Sequence, residues 1–122
     1  MNFLLVALGG AAGSTLRYAV GLAFAGSTFP YATLMVNVIG CFGIGLAVPS
    51  LDRAPLLSPE IRLLVVAGFL GGFTTFSAFA LDTRLMWERH DVVPALVYVG
   101  ASVVLSILGL IAGIFTVRVV LS

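Results

Sequence analysis

The sequence predicts an all-α integral membrane protein built from four transmembrane helices, and three observations carry this prediction. First, 61% of the 122 residues are hydrophobic and only 9% are charged, with a mean hydropathy of +1.20, so the chain cannot build a water-facing surface. Second, four apolar segments each reach the about 20 residues that cross a bilayer. Third, the connections between them are short, which leaves room for a single domain, residues 1–122.

The four spans are expected at residues 2–24, 31–50, 61–88 and 92–119. The first segment lacks a basic leading region and is too long for a signal peptide, so it is kept as a span. The connection at 25–30 is uncharged, the connection at 51–60 carries charges and prolines, and residues 89–91 form a tight turn. A multi-pass membrane protein, with lipid as a partner, is therefore expected.

The third span is predicted to break near residues 71–75. Gly71 and Gly72 are poor helix-interior residues, and hydroxyl side chains that follow them can bond the backbone groups that a break releases. These hydroxyl residues are Thr74, Thr75 and Ser77. Inside a membrane, such a break is tolerated only where it is buried in protein or lines a wet cavity.

Polar stripes and a pair of rings surround this predicted break. Phe76 and Phe79 lie about one helical turn apart, so their rings share a face. Polar side chains also recur at four-residue spacing on two other spans: Thr33, Asn37 and Cys41 on the second, and Tyr98, Ser102 and Ser106 on the fourth. Hydroxyl and amide donors without a fixed counter-charge suit a small anion, as do the positive edges of aromatic rings.

The placement of charges excludes some functions and indicates a symmetry. No Asp or Glu occurs in the first, second or fourth span, so a carboxylate proton relay is poorly supported. The six basic residues are all arginines and divide about evenly between the two membrane faces, Arg53, Arg62 and Arg118 against Arg84, Arg89 and Arg17. A balanced charge permits insertion in both orientations, and hence an antiparallel homodimer with two-fold symmetry. The sequence contains no polybasic patch of the kind that binds nucleic acid.

Several features leave alternatives open. Glycines at four-residue spacing pack helices either inside one subunit or between subunits; they are Gly9, Gly13 and Gly21, Gly68 and Gly72, and Gly109 and Gly113. Asp82 is expected to pair with Arg17 or to be solvated. The single cysteine, Cys41, excludes an internal disulfide, and no nucleophile–base pair or metal cluster suggests an enzyme.

Three sequence motifs and the fourth-span stripe resemble the Fluc family of fluoride channels. The motifs are GGFTTFSAF at 71–79, TLMVNVIG at 33–40 and GGAAGSTLRY at 9–18. Together with the series Tyr98, Ser102 and Ser106, they cover all four spans in order. The resemblance implies a channel that lets cytoplasmic fluoride leave passively and so confers fluoride resistance, built as an antiparallel, dual-topology homodimer with two pores.

The resemblance also implies roles for individual residues. Phe76 and Phe79 would contact fluoride, with a polar track formed by Asn37, Tyr98, Ser102 and Ser106. Backbone carbonyls of Gly71 and Thr74 from both subunits would hold a structural sodium ion at the dimer axis. Arg17 would stand at a pore vestibule or subunit boundary, or else be an interfacial arginine that snorkels. Whether Thr75 and Ser77 touch the ion or cap the helix is left open.

Two other functions compete with the channel. A proton-coupled exporter of the small multidrug resistance kind has similar length and topology, but would need a membrane-embedded glutamate in the first helix, which has no acid. A non-transport membrane scaffold is compatible with the glycine motifs.

Overall fold

The chain forms an all-helical structure, analysed in a computed structural model that describes residues 1–54, 56 and 59–122. Four helical segments are long and apolar enough to cross a membrane: α1 (Asn2–Ala23), α2 (Tyr31–Asp52), the third span (Pro59–Glu88) and α6 (Val92–Val120). The predicted all-helical fold with four long apolar helices is confirmed. Of the predicted connection at 51–60, residues 55, 57 and 58 lie outside the described residues.

The third span changes helix type and is then interrupted. Its parts in order are α3 (Pro59–Arg62), a π-helix (Leu63–Leu70), α4 (Gly71–Phe73) and α5 (Phe76–Glu88). Between α4 and α5 the backbone is extended, with φ −87° and ψ 156° at Thr74 and φ −154° and ψ 122° at Thr75. A π-helix has a wider turn than an α-helix and commonly lies beside functional sites. The break therefore lies at two residues inside the glycine- and hydroxyl-rich stretch.

Glycines bring α1 into direct backbone contact with the third span. A Cβ added to Gly9 would lie 2.3 Å from the Leu64 carbonyl oxygen, and one added to Gly13 would lie 2.0 Å from that of Phe69. Since no side chain fits at these distances, the small residues set the approach of the two helices.

Glycines also bring α2 into direct backbone contact with α6. A Cβ on Gly45 would lie 2.2 Å from the Leu110 carbonyl oxygen, and one on Gly113 would lie 2.4 Å from that of Phe42. For Gly113, as for Gly9 and Gly13, the contact is between helices of one subunit, which was one of the two alternatives from the sequence. Gly21 differs, because nothing lies within 4 Å of its added Cβ.

Little of the hydrophobic surface is buried within one chain. Among the described residues, the buried hydrophobic side chains are those of Val36, Leu70, Phe73, Met86, Ala95, Tyr98 and Val117. Large apolar side chains along α1 and α6 instead point outward, as suits helices whose surroundings are lipid.

The glycine contact between α1 and the third span gives a testable expectation. Gly13→Ala should lower the free energy of unfolding by about 1–3 kcal/mol, because the added methyl group meets the Phe69 carbonyl. Gly21→Ala is the matched control on the same helix and should be neutral or slightly stabilising, since its surroundings are open. Unfolding of the purified protein in detergent measures both, and equal midpoints for the two variants would contradict the packing described.

Candidate functional site

The break in the third span is held by a side chain of α2. The Asn37 amide donates from Nδ2 to the Thr75 carbonyl oxygen at 3.0 Å and accepts at Oδ1 from the Thr75 backbone N–H at 2.8 Å. One side chain thus satisfies both polar backbone groups of an extended residue, which lipid cannot do. The second N–H of the amide remains for another partner.

These bonds redirect the helical hydrogen bonding around the break. In an α-helix, the Thr75 N–H would bond the Gly71 carbonyl and the Ala78 N–H would bond the Thr74 carbonyl. Here the Thr75 N–H goes to Asn37, and the Ala78 N–H donates to Thr75 Oγ1 at 3.1 Å. The carbonyls of Gly71 and Thr74 therefore lose their α-helical donors at the same point.

A cavity of about 480 Å³ adjoins the break and gathers most of the residues singled out from the sequence. Its lining includes two members of each polar stripe, the ring pair and the break, namely Asn37, Cys41, Gly71, Thr74, Thr75, Phe76, Phe79, Ser102 and Ser106. Val103 and Ile107 complete the described lining, in which no side chain is charged. The cavity offers donors and apolar surface without a fixed counter-charge.

The two phenyl rings have different surroundings. Their centroids lie 5.5 Å apart with the planes tilted by 56°. Phe79 packs against the Tyr98 ring at 5.2 Å and is half-buried, whereas Phe76 is 78% exposed. Phe79 is thus anchored within the subunit, and Phe76 projects from it.

Ser102 carries an unsatisfied polar atom. Its hydroxyl oxygen is buried and has no hydrogen-bond partner among the described residues, and the residue is only 7% exposed. A buried hydroxyl without a partner costs about 1–3 kcal/mol. Because Ser102 lines the cavity, a polar species inside the cavity would relieve this cost.

Tyr98 is placed differently from the rest of its stripe. It is fully buried, does not line the cavity, and donates its hydroxyl hydrogen bond to Asp82 Oδ2 at 3.0 Å. Asp82 was expected to pair with Arg17 or to be solvated. The pairing is wrong, because Arg17 bonds the Gly72 carbonyl instead, whereas Asp82 is half-buried and its solvation stays a prediction. The bond joins two helices across 16 positions of sequence, and no local pattern indicates it.

Arg17 reaches the break from the opposite side. Its Nε donates to the Gly72 carbonyl oxygen at 3.1 Å. It also lines a second cavity of about 540 Å³, which includes Tyr18, Thr33 and Thr75 in its wall. The break is therefore contacted by α1 as well as by α2.

Two hydroxyls at the start of α5 act on the helix itself. Thr75 Oγ1 accepts from the Ala78 N–H and so caps α5, which lowers the cost of starting a helix inside the membrane. The Ser77 hydroxyl lies 3.1 Å from Thr75 Oγ1 and is exposed. Of the two roles left open by the sequence, this geometry gives Thr75 the cap.

The Asn37 contact generates a second prediction. Asn37→Ala removes both partners of the Thr75 backbone, and each unsatisfied group costs about 1–3 kcal/mol. We expect a clear loss of stability and faster hydrogen exchange at the Thr75 amide. Ser50→Ala is the control, because the Ser50 hydroxyl bonds only Leu46 within its own helix. If hydrogen exchange at the Thr75 amide is unchanged in the Asn37 variant, Asn37 does not hold the Thr75 backbone.

Comparison with known proteins places the chain in a family. The family model described as "CrcB-like protein, Camphor Resistance (CrcB)" matches residues 4–114. The chain is 52% identical over 118 residues to a protein of Rhizobium johnstonii named "Fluoride-specific ion channel FluC", and the match covers 94% of each chain. Proteins of the same name from Chelativorans sp. and Rhizobium meliloti are 50% and 46% identical, with 98% and 96% of each chain covered. The chain therefore belongs to the CrcB family, and its resemblance to the Fluc fluoride channels is confirmed.

Proposed function

We propose that this chain forms a fluoride-specific ion channel. It lets cytoplasmic fluoride leave passively, down its electrochemical gradient across the cell's inner membrane, and thereby gives fluoride resistance. The observation that carries the proposal is the uncharged cavity lined both by the phenyl pair and by Ser102, whose hydroxyl has no partner among the residues that the structure describes. It occurs in a chain about half identical, over nearly its full length, to proteins named for fluoride conduction.

Fluoride is small and strongly hydrated, so a selective path has to replace its water with fixed donors while binding weakly enough to release it. Ser102 and Ser106 supply hydroxyls, and Asn37 supplies the N–H that it does not give to Thr75. The edges of Phe76 and Phe79 add weak positive contacts.

The working unit in this proposal is an antiparallel homodimer with two pores. Phe76 supports it, because its ring lines the cavity and is 78% exposed, so a second copy can contact it there. The even distribution of arginines between the two faces supports insertion in both orientations. Two-fold closure then completes the wall that one chain leaves incomplete.

A structural sodium ion at the dimer axis belongs to the same proposal. The carbonyls of Gly71 and Thr74 lose their α-helical donors to Asn37 and to Thr75. Carbonyl oxygens are hard ligands that suit a hard cation, so the donor set fits sodium, with two carbonyls from each subunit. The ion would hold the two breaks together.

A liposome assay with a fluoride electrode separates the candidate functions. The channel predicts electrogenic fluoride efflux that needs no proton gradient. Efflux that depends on a proton gradient would instead favour a small multidrug-type exporter. The absence of fluoride efflux from correctly folded protein would favour a scaffold. Either result would overturn the proposal.

Phe79 gives the sharpest mutational test of the path. Phe79→Ile should nearly abolish fluoride efflux, because it removes the ring that packs on Tyr98 and lines the cavity. Phe115→Ile is the matched control, since Phe115 is 64% exposed on α6 and does not line this cavity. Wild-type efflux from liposomes that hold the Phe79 variant would contradict the role of the ring.

A variant of Asp82 is expected to raise fluoride efflux rather than lower it. Asp82→Asn removes a negative charge that lies beside Tyr98, whose ring packs on the cavity-lining Phe79. Because a nearby negative charge disfavours an anion, we expect faster efflux. Asp91→Asn is the control, because Asp91 forms an exposed ion pair with Arg89 in the turn between α5 and α6. Slower efflux from a folded Asp82 variant would mean that the carboxylate helps conduction.

A further inference from the structure

Cys41 lies in the wall of the cavity that adjoins the break. It is the only cysteine of the chain and follows Asn37 by one helical turn, so the two side chains share a face of α2. Its residue is half-buried, and it lines the same cavity of about 480 Å³ as Ser102 and Ser106. The function proposed above assigns no role to its thiol.

An independent observation indicates that a polar molecule or an ion enters this cavity. The Ser102 hydroxyl is buried at 7% exposure, lines the cavity and has no partner among the described residues. Buried hydroxyls in native proteins are almost always hydrogen-bonded, so water or an ion is expected to reach Ser102. A species that reaches Ser102 enters the space that Cys41 also borders.

The backbone beside Cys41 packs closely against the third span. A Cβ added to the neighbouring Gly40 would lie only 2.2 Å from Thr74 Cγ2 and 3.4 Å from a Phe73 ring atom. At this level α2 therefore packs directly on the break. Because Cys41 lines the cavity and the adjoining residue packs against the break, a group attached to its sulfur extends into the cavity.

We propose that Cys41 is a thiol-modification site at which a disulfide-linked group closes the anion path. This inference rests on the proposed function, since it concerns the same cavity. With a methanethiosulfonate reagent, the Cys41 sulfur attacks the sulfenyl sulfur and forms a disulfide. The bond between the two reagent sulfur atoms breaks, methanesulfinate leaves with the electron pair, and the thiol proton goes to solvent.

The test uses the full-length protein in liposomes treated with methyl or benzyl methanethiosulfonate. Fluoride efflux of each protein is compared with its own untreated rate, and mass spectrometry measures the adduct. The variants are Cys41→Ser and the double variant Cys41→Ser, Ile39→Cys. Ile39 is 52% exposed and lies two positions away, roughly 200° around the same helix, so its cysteine tests labelling outside the cavity.

We expect the wild type to lose most of its efflux with the benzyl reagent and less with the methyl reagent. Dithiothreitol should restore it, because it reduces the disulfide. Cys41→Ser should remain unlabelled, the double variant should be labelled, and both should keep their own untreated rates.

The outcomes separate this inference from the function on which it rests. A wild type that stays unlabelled, or one that carries the adduct and keeps its efflux, overturns the inference alone. Loss of efflux in the labelled double variant also overturns it, because closure would then not require the cavity. No efflux from the untreated wild type overturns the proposed function and this inference together.

Discussion

The bidentate contact between the Asn37 amide and the Thr75 backbone is the interaction on which the site depends. An interrupted helix inside a membrane exposes an N–H and a C=O that lipid cannot satisfy. Asn37 takes both, at 2.8 and 3.0 Å, and thereby fixes where the interruption lies. By accepting from the Thr75 N–H, it also removes the helical donor of the Gly71 carbonyl. A single amide thus stabilises the break, while Thr75 Oγ1 takes the α-helical donor of the Thr74 carbonyl.

Two helix pairs meet at this point. α1 packs on the π-helix and α4 through glycines, and α2 packs on α6 through a second set. Arg17 contacts the Gly72 carbonyl from the first pair, and Asn37 contacts Thr75 from the second. Because both pairs have backbone-to-backbone contact, a small shift in either one would displace these hydrogen bonds. Close packing by small residues is therefore a condition for the geometry of the polar site.

The distribution of satisfied and unsatisfied polar groups agrees with passive conduction of an anion. The Tyr98 hydroxyl is already committed to Asp82, and the Thr75 hydroxyl is committed to the start of α5. Ser102 is the exception, with a buried hydroxyl that finds no partner in the described part of the chain. A path that must bind an ion and also release it needs donors of this kind, few in number and free of a fixed charge.

The sequence by itself determined the helical class, the four long apolar segments, the stretch that contains the break and the family. Each of these depends on local composition or on motifs that are contiguous in the chain, such as GGFTTFSAF. The tertiary structure alone decided that Asn37 binds Thr75, that Asp82 accepts from Tyr98 and that Gly9, Gly13, Gly45 and Gly113 pack within one subunit. It also decided the π-helical turn before the break. These features depend on the register and approach of helices far apart in the chain, and helical periodicity shows which residues share a face but not which face lies opposite.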